Sequence, residues 1–369
     1  MPSYEEEEYE CDCCGELNDE DNLNQYQGEA LCDGCYNNRR DEEGSYDSNI
    51  ADHDYRPTAI WHNDSGRTSS QQITINSVPL LYFGIEIETE SGSGWGPHEG
   101  ADHVMSNCGR LVYCKHDGSL SHGFEIVTHP MSYGYVQNHL GGLWESLTTL
   151  RKYGFRAWST STCGLHIHIS RNAFINDRHT QKFMWFIYGG DPKHMSRQQM
   201  TIQNQHTEAM KKFAGRDSHW SKFDRENFVG TVYDGDDQDG NSQYVYPTLM
   251  EIAKGVTKKG NSVSQMGGDR YLALNRNNRH TLELRFFRPS MRPDTILASI
   301  EFVQCVFDYT EQITARQIIQ HNGLASFQML GEYAKSNKDK YPAFIARAIK
   351  RGVFVDPTVS TDDSADGEE

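Results

Sequence analysis

The sequence predicts an α+β fold, in which an antiparallel sheet carries helices on one of its faces and a small cysteine-rich module precedes it. Apolar and polar residues alternate in several short segments, helical segments are mixed with them without regular βαβ order, and five of nine cysteines fall within residues 11–35. A chain of 369 residues can build one large core and an appended module. The predicted parts are a module at 1–40, a linker at 41–70, a main domain at 71–355 and a disordered acidic tail at 356–369.

The cysteines of the first module have the spacing of a structural zinc site. Cys11 and Cys14 form one CxxC pair, and seventeen residues separate it from a second pair, Cys32 and Cys35. This stretch is too polar to fold on a hydrophobic core, so four thiolates on one Zn²⁺ would supply the folding free energy. Cys13 is an alternative to Cys14 as ligand, and a redox role is disfavoured because no βαβ pattern flanks the pairs. The module resembles small treble-clef or zinc-ribbon domains, and we expect it to bind a protein partner.

Acidic residues are concentrated at both ends of the chain. Residues 1–54 hold eighteen acidic and two basic residues, and residues 356–369 hold six acidic and no basic residues. Since the net charge is −17, residues 55–355 carry a net charge of +5, which is compatible with an anionic ligand. The acidic ends argue against a nucleic-acid partner.

Composition also predicts where the protein resides. The mean hydropathy is −0.73, and no apolar run reaches the roughly 20 residues that cross a bilayer. The start, MPSYEEEEYE, lacks the basic region of a signal peptide, and the uneven cysteine distribution favours a reducing compartment. We therefore expect a cytoplasmic protein without a membrane partner.

Strands and helices follow one another in mixed order within residues 71–355. The segment 71–90 predicts one or two strands, and GRLVYCKHDGSL and HGFEIVTHP predict two more. The segment 135–154 predicts one amphipathic helix, because leucines and a valine recur every three or four residues and Gly154 stops it. Further predictions are a strand at 164–170, a helix near 178–188, a strand at 270–288, helices near 293–336, and a long loop at 215–245 that serves as a flap.

Four of the predicted strands place charged residues on one face and apolar residues on the other. In YFGIEIETE, Phe83, Ile85 and Ile87 alternate with Glu86 and Glu88, and GFEIVTHP, CGLHIHIS and RHTLELRFF repeat this alternation. Carboxylates two residues apart repel each other unless a cation lies between them. Several carboxylates with an imidazole suit a hard divalent ion such as Mg²⁺ or Mn²⁺ better than zinc. The charged residues are Glu86, Glu88, Glu125, His166, His168, Glu283 and Arg285.

The ordered motifs FGIEIE, KHDGSL…GFEIVTHP, CGLHIHIS and RYLALNRNNRHTLELRFFRP resemble the amidoligase family. These proteins are carboxylate–amine ligases related to glutamate–cysteine ligase and glutamine synthetase. The resemblance runs from about Phe83 to about Val306 and leaves out the cysteine-rich module and both acidic ends. It implies a glutamine synthetase-like catalytic domain.

The resemblance also implies roles for individual residues. Metal ligands would be Glu86, Glu88, Glu125, His166 and Glu283. Arg285 would contact the transferring phosphate, and Asp117 would be a further acidic residue of the catalytic site. Contacts to the nucleotide or its phosphates would come from His168, Lys115, Arg276 and Arg288. The sequence departs from the family where Gly-Thr usually precedes Glu-x-Arg, because this chain has RHTLELR, and the neighbouring Arg276, Arg279 and Arg288 leave the phosphate contact open.

The predicted function is an Mg²⁺-dependent ligase that uses ATP to join a carboxylate donor to an amine, either small molecules or peptides, through an acyl phosphate. One alternative is an inactive ligase-fold scaffold that acts through the zinc module. A second is a cupin-like metalloenzyme, which also carries His-x-His on a strand but normally adds a nearby Glu and a later His. No residue is assigned as the base for the amine beyond Asp117.

Overall fold

A mostly antiparallel sheet of nine strands forms the centre of the chain in this computed structural model. The structure describes residues 8–10, 17–19, 23–26, 29–32, 35, 49–75, 78–188, 196–215, 232–236, 242–245, 273–314, 317 and 326–355. The strands are β1 (Glu8–Glu10), β2 (Leu17–Asp19), β3 (Leu23–Tyr26), β4 (Glu29–Cys32), β5 (Trp61–His62), β6 (Thr68–Ser69), β7 (Thr74–Ile75), β8 (Val78–Pro79), β9 (Tyr82–Glu90), β10 (Val112–Lys115), β11 (Gly123–Thr128), β12 (Met131–Ser132), β13 (Leu165–Ser170), β14 (Val232–Asp236), β15 (Ser242–Val245), β16 (Leu274–Asn275) and β17 (Thr281–Phe287). The helices are α1 (Pro97–Cys108), α2 (Tyr133–Asn138), α3 (Gly141–Lys152), α4 (Asp177–Tyr188), α5 (Arg197–Ala214), α6 (Pro293–Gln312), α7 (Phe327–Ser336) and α8 (Pro342–Lys350).

Strand β9 lies in the middle of the sheet and organises its neighbours. On one side β9 pairs with β13, which pairs with β17, and β17 pairs with β16. On the other side β9 pairs with β11 and then with β12, while β10 pairs with β11 at the edge. All of these pairings are antiparallel; the one parallel pairing of the sheet joins β12 to β5. The prediction of an antiparallel sheet with helices is therefore confirmed at this level.

The apolar face of the sheet packs against helices. Ile85, Ile167 and Leu284 are fully buried on adjacent strands, as the alternation predicts. They belong to one continuous core with helix α6, which includes the fully buried Phe302 and Val303. Because the helices cover this face, the charged side chains of the same strands project to the opposite face.

Part of the segment predicted to be a linker contacts the main domain. Ile50 is buried in the core, and the backbone of Ala51 pairs with that of Cys114 and His116 beside β10. Trp61 and His62 form β5, which joins the sheet through Met131. Two-residue strands are too short to show a periodic pattern, so their pairing could not be predicted from the sequence. Ile50, Ala51 and His62 therefore contact the sheet-containing domain, whereas the domain boundaries as a whole stay a prediction.

Several other elements differ from the sequence prediction. The predicted helix at 135–154 is two helices, α2 and α3, which are separated at His139 and Leu140 ahead of two glycines, and the second ends at Lys152 before Gly154. Helices α1, α5 and α8 were not predicted, and the strand expected at 270–288 is two strands, β16 and β17. Residues 232–236 and 242–245 pair as a hairpin within the expected flap. Cys11, Cys13, Cys14 and the tail 356–369 lie outside the described residues.

In the part of the chain that is described, every helix is too short or too polar to cross a membrane.

Candidate metal centre

The strand register brings the predicted charged residues together on one face of the sheet. His166 of β13 lies opposite Glu86 of β9, and Glu125 of β11 lies opposite Glu88. On the far side of β13, His168 lies opposite Glu283 of β17. Since cross-strand neighbours on one face are about 5 Å apart, these side chains form a continuous cluster. We call Glu86, Glu88, Glu125, His166, His168 and Glu283 the acidic face.

Glu86 lies at the centre of the acidic face, with an imidazole next to each carboxylate oxygen. Its Oε2 lies 3.1 Å from Nδ1 of His166, and its Oε1 lies 3.1 Å from Nε2 of His168. One group of potential metal ligands is Glu86, Glu125 and His166, and a second is Glu86, His168 and Glu283; in each group the ligand atoms lie within 4.8 Å of one another. The two groups share Glu86, so this carboxylate could bridge two ions.

Cations and an amide contact Glu125 and Glu283, which we call the outer carboxylates of the acidic face. The Lys115 ammonium lies 3.1 Å from Oε2 of Glu125, and both side chains are buried. The Arg285 guanidinium contacts Oε1 of Glu283, while Asn275 donates to Oε2 of Glu283 at 2.7 Å. These partners fix the carboxylates in place, as groups around metal ligands commonly do.

Mutual electrostatic effects shift the pKa values of the cluster in opposite directions. Burial and the Glu86 carboxylate raise the pKa of Glu125 well above its usual value. Burial would also raise the pKa of Glu86, but the adjacent His168 and His166 hold it well below the usual range. The pKa of His168 is raised despite burial, because the Glu86 carboxylate stabilises its charged form. Burial and the carboxylates of Glu86 and Glu125 raise the pKa of Tyr113 on neighbouring β10.

The donor set fits a divalent cation. Within the described residues, the four carboxylates of the acidic face lie beside two basic side chains, Lys115 and Arg285. Buried carboxylates at this density are costly unless further positive charge neutralises them. Oxygen ligands with one imidazole in each group suit Mg²⁺ or Mn²⁺.

Solvent reaches the acidic face near Glu86. The exposed fractions of the side chains are 20% for Glu86, 16% for His168 and 13% for Arg285, whereas His166, Glu88, Glu125 and Glu283 expose 6% or less. A ligand from solution would therefore meet Glu86, His168 and Arg285 first.

Two other predicted site residues, Asp117 and Arg276, make contacts outside the acidic face. Asp117 follows β10, accepts a hydrogen bond from the Ser119 backbone at 2.8 Å, and has a lowered pKa because the Ser119 hydrogen bonds and nearby histidines outweigh its burial. Arg276 is buried, and its backbone oxygen accepts a hydrogen bond from Arg171. Burial and the Arg171 charge lower the pKa of Arg276 to about 10. The phosphate roles of these arginines stay predictions.

Arg288, Arg279, Cys32 and Cys35 are in neither group of potential metal ligands. The Arg288 guanidinium lies over the Trp158 ring, 3.4 Å from its centroid, and Arg279 is exposed. Cys32 is buried at the end of β4 and Cys35 is half-buried; both are outside disulfides. The other proposed zinc ligands lie outside the described residues, so the zinc module stays a prediction.

Sequence reasoning gives one member of the site a different role and does not single out two others. His168 was assigned to the nucleotide, yet its ring lies in a group of potential metal ligands, and Nδ1 lies 3.1 Å from Oγ1 of Thr281. Asn275 and Asn278 hold Oε2 of Glu283 and were not singled out. The run NRNN ahead of β17 is their signal in the sequence, but only the turn between β16 and β17 directs these amides to Glu283.

Comparisons with known proteins establish neither a family nor an activity. No protein-family model matches the chain, and no curated protein sequence matches it. Among the solved structures that match, the crystal structure of the complex between prokaryotic ubiquitin-like protein Pup and its ligase PafA aligns over 74% of this chain and 62% of that chain. The TM-score is 0.29 and the sequence identity is 10%. This chain therefore spans less than two thirds of that neighbour, and the amidoligase resemblance rests on the sequence motifs.

Proposed function

We propose that this protein is an Mg²⁺-dependent ligase that uses ATP to join a carboxylate to an amine. The observation that carries the proposal is Glu86, which is shared by two groups of potential metal ligands and has one oxygen next to each imidazole. Sites in which metal ions lie close together are typical of enzymes that act on phosphoryl groups. The amidoligase-like motifs assign this chemistry to amide formation.

Five of the six residues of the acidic face have a defined task in this proposal. Glu86, Glu125 and His166 would hold one ion, and Glu86, His168 and Glu283 would hold the other. Bound Mg²⁺ would neutralise the triphosphate and stabilise the charge that develops on the transferred phosphoryl group. Arg285, which Glu283 positions at the more exposed part of the face, would orient the phosphoryl oxygens through its planar fork.

The reaction has two steps. A substrate carboxylate oxygen attacks the γ-phosphorus of ATP, and the bond to the β-phosphate oxygen breaks, which gives an acyl phosphate and ADP. The amine then attacks the acyl carbon, the carbon–oxygen bond to phosphate breaks, and the amine loses a proton. Asp117 is our candidate to receive this proton, because it is a carboxylate that lies near the acidic face. The carboxylate and the amine would belong to small molecules or peptides.

The test measures ADP formation from ATP with panels of carboxylic acids and amines, in the presence and absence of Mg²⁺. We expect turnover that requires Mg²⁺, an acid and an amine together. Glu86→Gln should lower it by at least about 10²-fold, the scale seen when charge stabilisation of a transition state is removed. Glu208→Gln, on an exposed position of α5, is the matched control and should keep full turnover.

Two results would count against the proposal. Wild-type turnover in Glu86→Gln would show that the acidic face is not the reaction centre. Absence of ADP formation in every combination, together with tight Mg²⁺ binding, would favour the inactive scaffold.

A further inference from the structure

A second charged site lies in a cavity of about 570 Å³ that shares no lining residue with the acidic face. Its walls come from the connection between α3 and β13, the connection between β17 and α6, and helix α8. Six cationic residues line it, in a chain whose net charge is −17. We call Arg151, Arg156, Arg292, Arg347, Lys350 and Arg351 the basic cavity.

Positive charge exceeds negative charge in the basic cavity. Asp294 is the one carboxylate among its described lining residues, and it pairs with Arg292 at 3.2 Å. Arg347 donates from one terminal nitrogen to the Thr295 hydroxyl at 3.2 Å, and its buried Nε has no hydrogen-bond partner among the described residues. Burial and the neighbouring Arg351 charge lower the pKa of Arg347. Like charges held this close are unfavourable, and a bound anion would relieve them.

An aromatic ring lies in the same wall. Trp158 is half exposed and lines the cavity, while the Arg288 guanidinium stacks on its ring. Stacking on an aromatic ring holds a guanidinium in a fixed plane, which arranges the cation for binding. The first residues of α6 also line the cavity, and helix amino ends favour anions.

We propose that the basic cavity binds a small anion that carries two or more phosphate groups. Its volume lies within the range of small-molecule sites, so the ligand is a small molecule rather than a folded partner. Guanidinium groups bind phosphate through two parallel hydrogen bonds, and five of the six cations are arginines. Phosphate groups bring more charge per unit volume than carboxylates, which suits a small cavity with so many cations.

The test titrates tripolyphosphate into the full-length protein by calorimetry, in buffer freed of divalent metal by a resin, since a dissolved chelator is itself a polyanion. We expect saturable binding, and weaker binding of inorganic phosphate and citrate. Arg347→Gln and Lys350→Gln should each lower the affinity for tripolyphosphate by at least about tenfold, because each removes a charge-assisted contact. The control Lys338→Gln makes the same charge change at an exposed position and should bind like the parent.

Two further variants locate the site. Trp158→Phe should bind tripolyphosphate but lose the change in tryptophan fluorescence that accompanies binding. Glu86→Gln should bind it like the parent, because the acidic face is not involved. Lys350 is exposed, so its variant tests the site even where Arg347→Gln fails to fold. Unchanged affinity in the folded cavity variants would overturn the proposal, and citrate binding at least as tight as tripolyphosphate would overturn the assignment to phosphate.

Discussion

Replacement of Glu86 by glutamine should abolish binding of two metal ions, whereas replacement of either outer carboxylate should abolish one. The prediction follows from the two ligand groups, because Glu86 belongs to both while Glu125 and Glu283 each belong to one. Glutamine keeps the shape of the side chain, and its carbonyl oxygen can still accept a hydrogen bond from one of the two imidazoles. The substitution therefore removes charge with little change in packing.

The size of the effect follows from Coulomb's law. Two unit charges 4 Å apart interact by about 4 kcal/mol at the effective dielectric constant of a protein surface, and a divalent ion doubles this. Glu86 is 20% exposed, so water screens part of the interaction. A loss of at least about 3 kcal/mol of binding free energy remains, which lowers the affinity for each ion by roughly 10²-fold.

Calorimetric titration with Mn²⁺ measures the number of ions and their affinity. We expect two ions for the parent and for Glu208→Gln, one for Glu125→Gln and for Glu283→Gln, and none of comparable affinity for Glu86→Gln. Thermal melts should show the same order, because each ion at 100 times its Kd stabilises the folded state by about 2.7 kcal/mol. Two tight ions in Glu86→Gln, or two in both outer variants, would refute the bridging role of Glu86.

Three further predictions concern the arginine of the acidic face, a buried carboxyl group and the domain boundary. Arg285→Lys should lower ADP formation by at least about tenfold with metal binding intact, because an ammonium lacks the planar fork; equal turnover would contradict this. Burial raises the pKa of Glu301 to about 7, so the folded state holds this proton to a higher pH than the unfolded chain does and stability falls as pH rises. Between pH 5 and pH 8 the free energy of unfolding should fall by roughly 2.5 kcal/mol more in the parent than in Glu301→Gln, and an identical pH dependence would exclude the effect. A chain that begins at residue 71 should unfold at lower temperature than one that begins at residue 49, because it lacks Ile50 and β5, and equal melting would favour the linker prediction.

The strands of the acidic face could be predicted because each carries its own pattern. Alternation in β9 and β13 is complete within a few residues, and it fixes which side chains share a face. It does not fix which strands are neighbours. His168 meets Glu283 only because β17 pairs with β13 over more than one hundred residues of sequence, and no local pattern encodes that register.

Helices without a clear apolar stripe were missed for a related reason. Helix α5 is rich in Gln, Lys and Thr, so its sequence resembles a polar loop. Helix α1 begins at Pro97 after Gly96, and Glu99 returns to the Gly96 backbone, which is a helix start that the sequence contains. The sequence contains the capping residues of α1, but capping residues alone do not predict a helix.

The two charged sites each hold an excess of charge of one sign, but only the acidic face buries it; four of the six cations of the basic cavity are exposed. Buried charges are normally matched in number, since an unmatched charge costs folding free energy. The acidic face holds more carboxylates than fixed cations, and the basic cavity holds more guanidinium groups than carboxylates. The core that packs against the sheet is formed mainly by apolar side chains. An excess of charge of one sign is expected where a ligand supplies the missing charge. On this argument the acidic face requires a cation and the basic cavity an anion, and each site should stabilise the fold when its ligand is added alone.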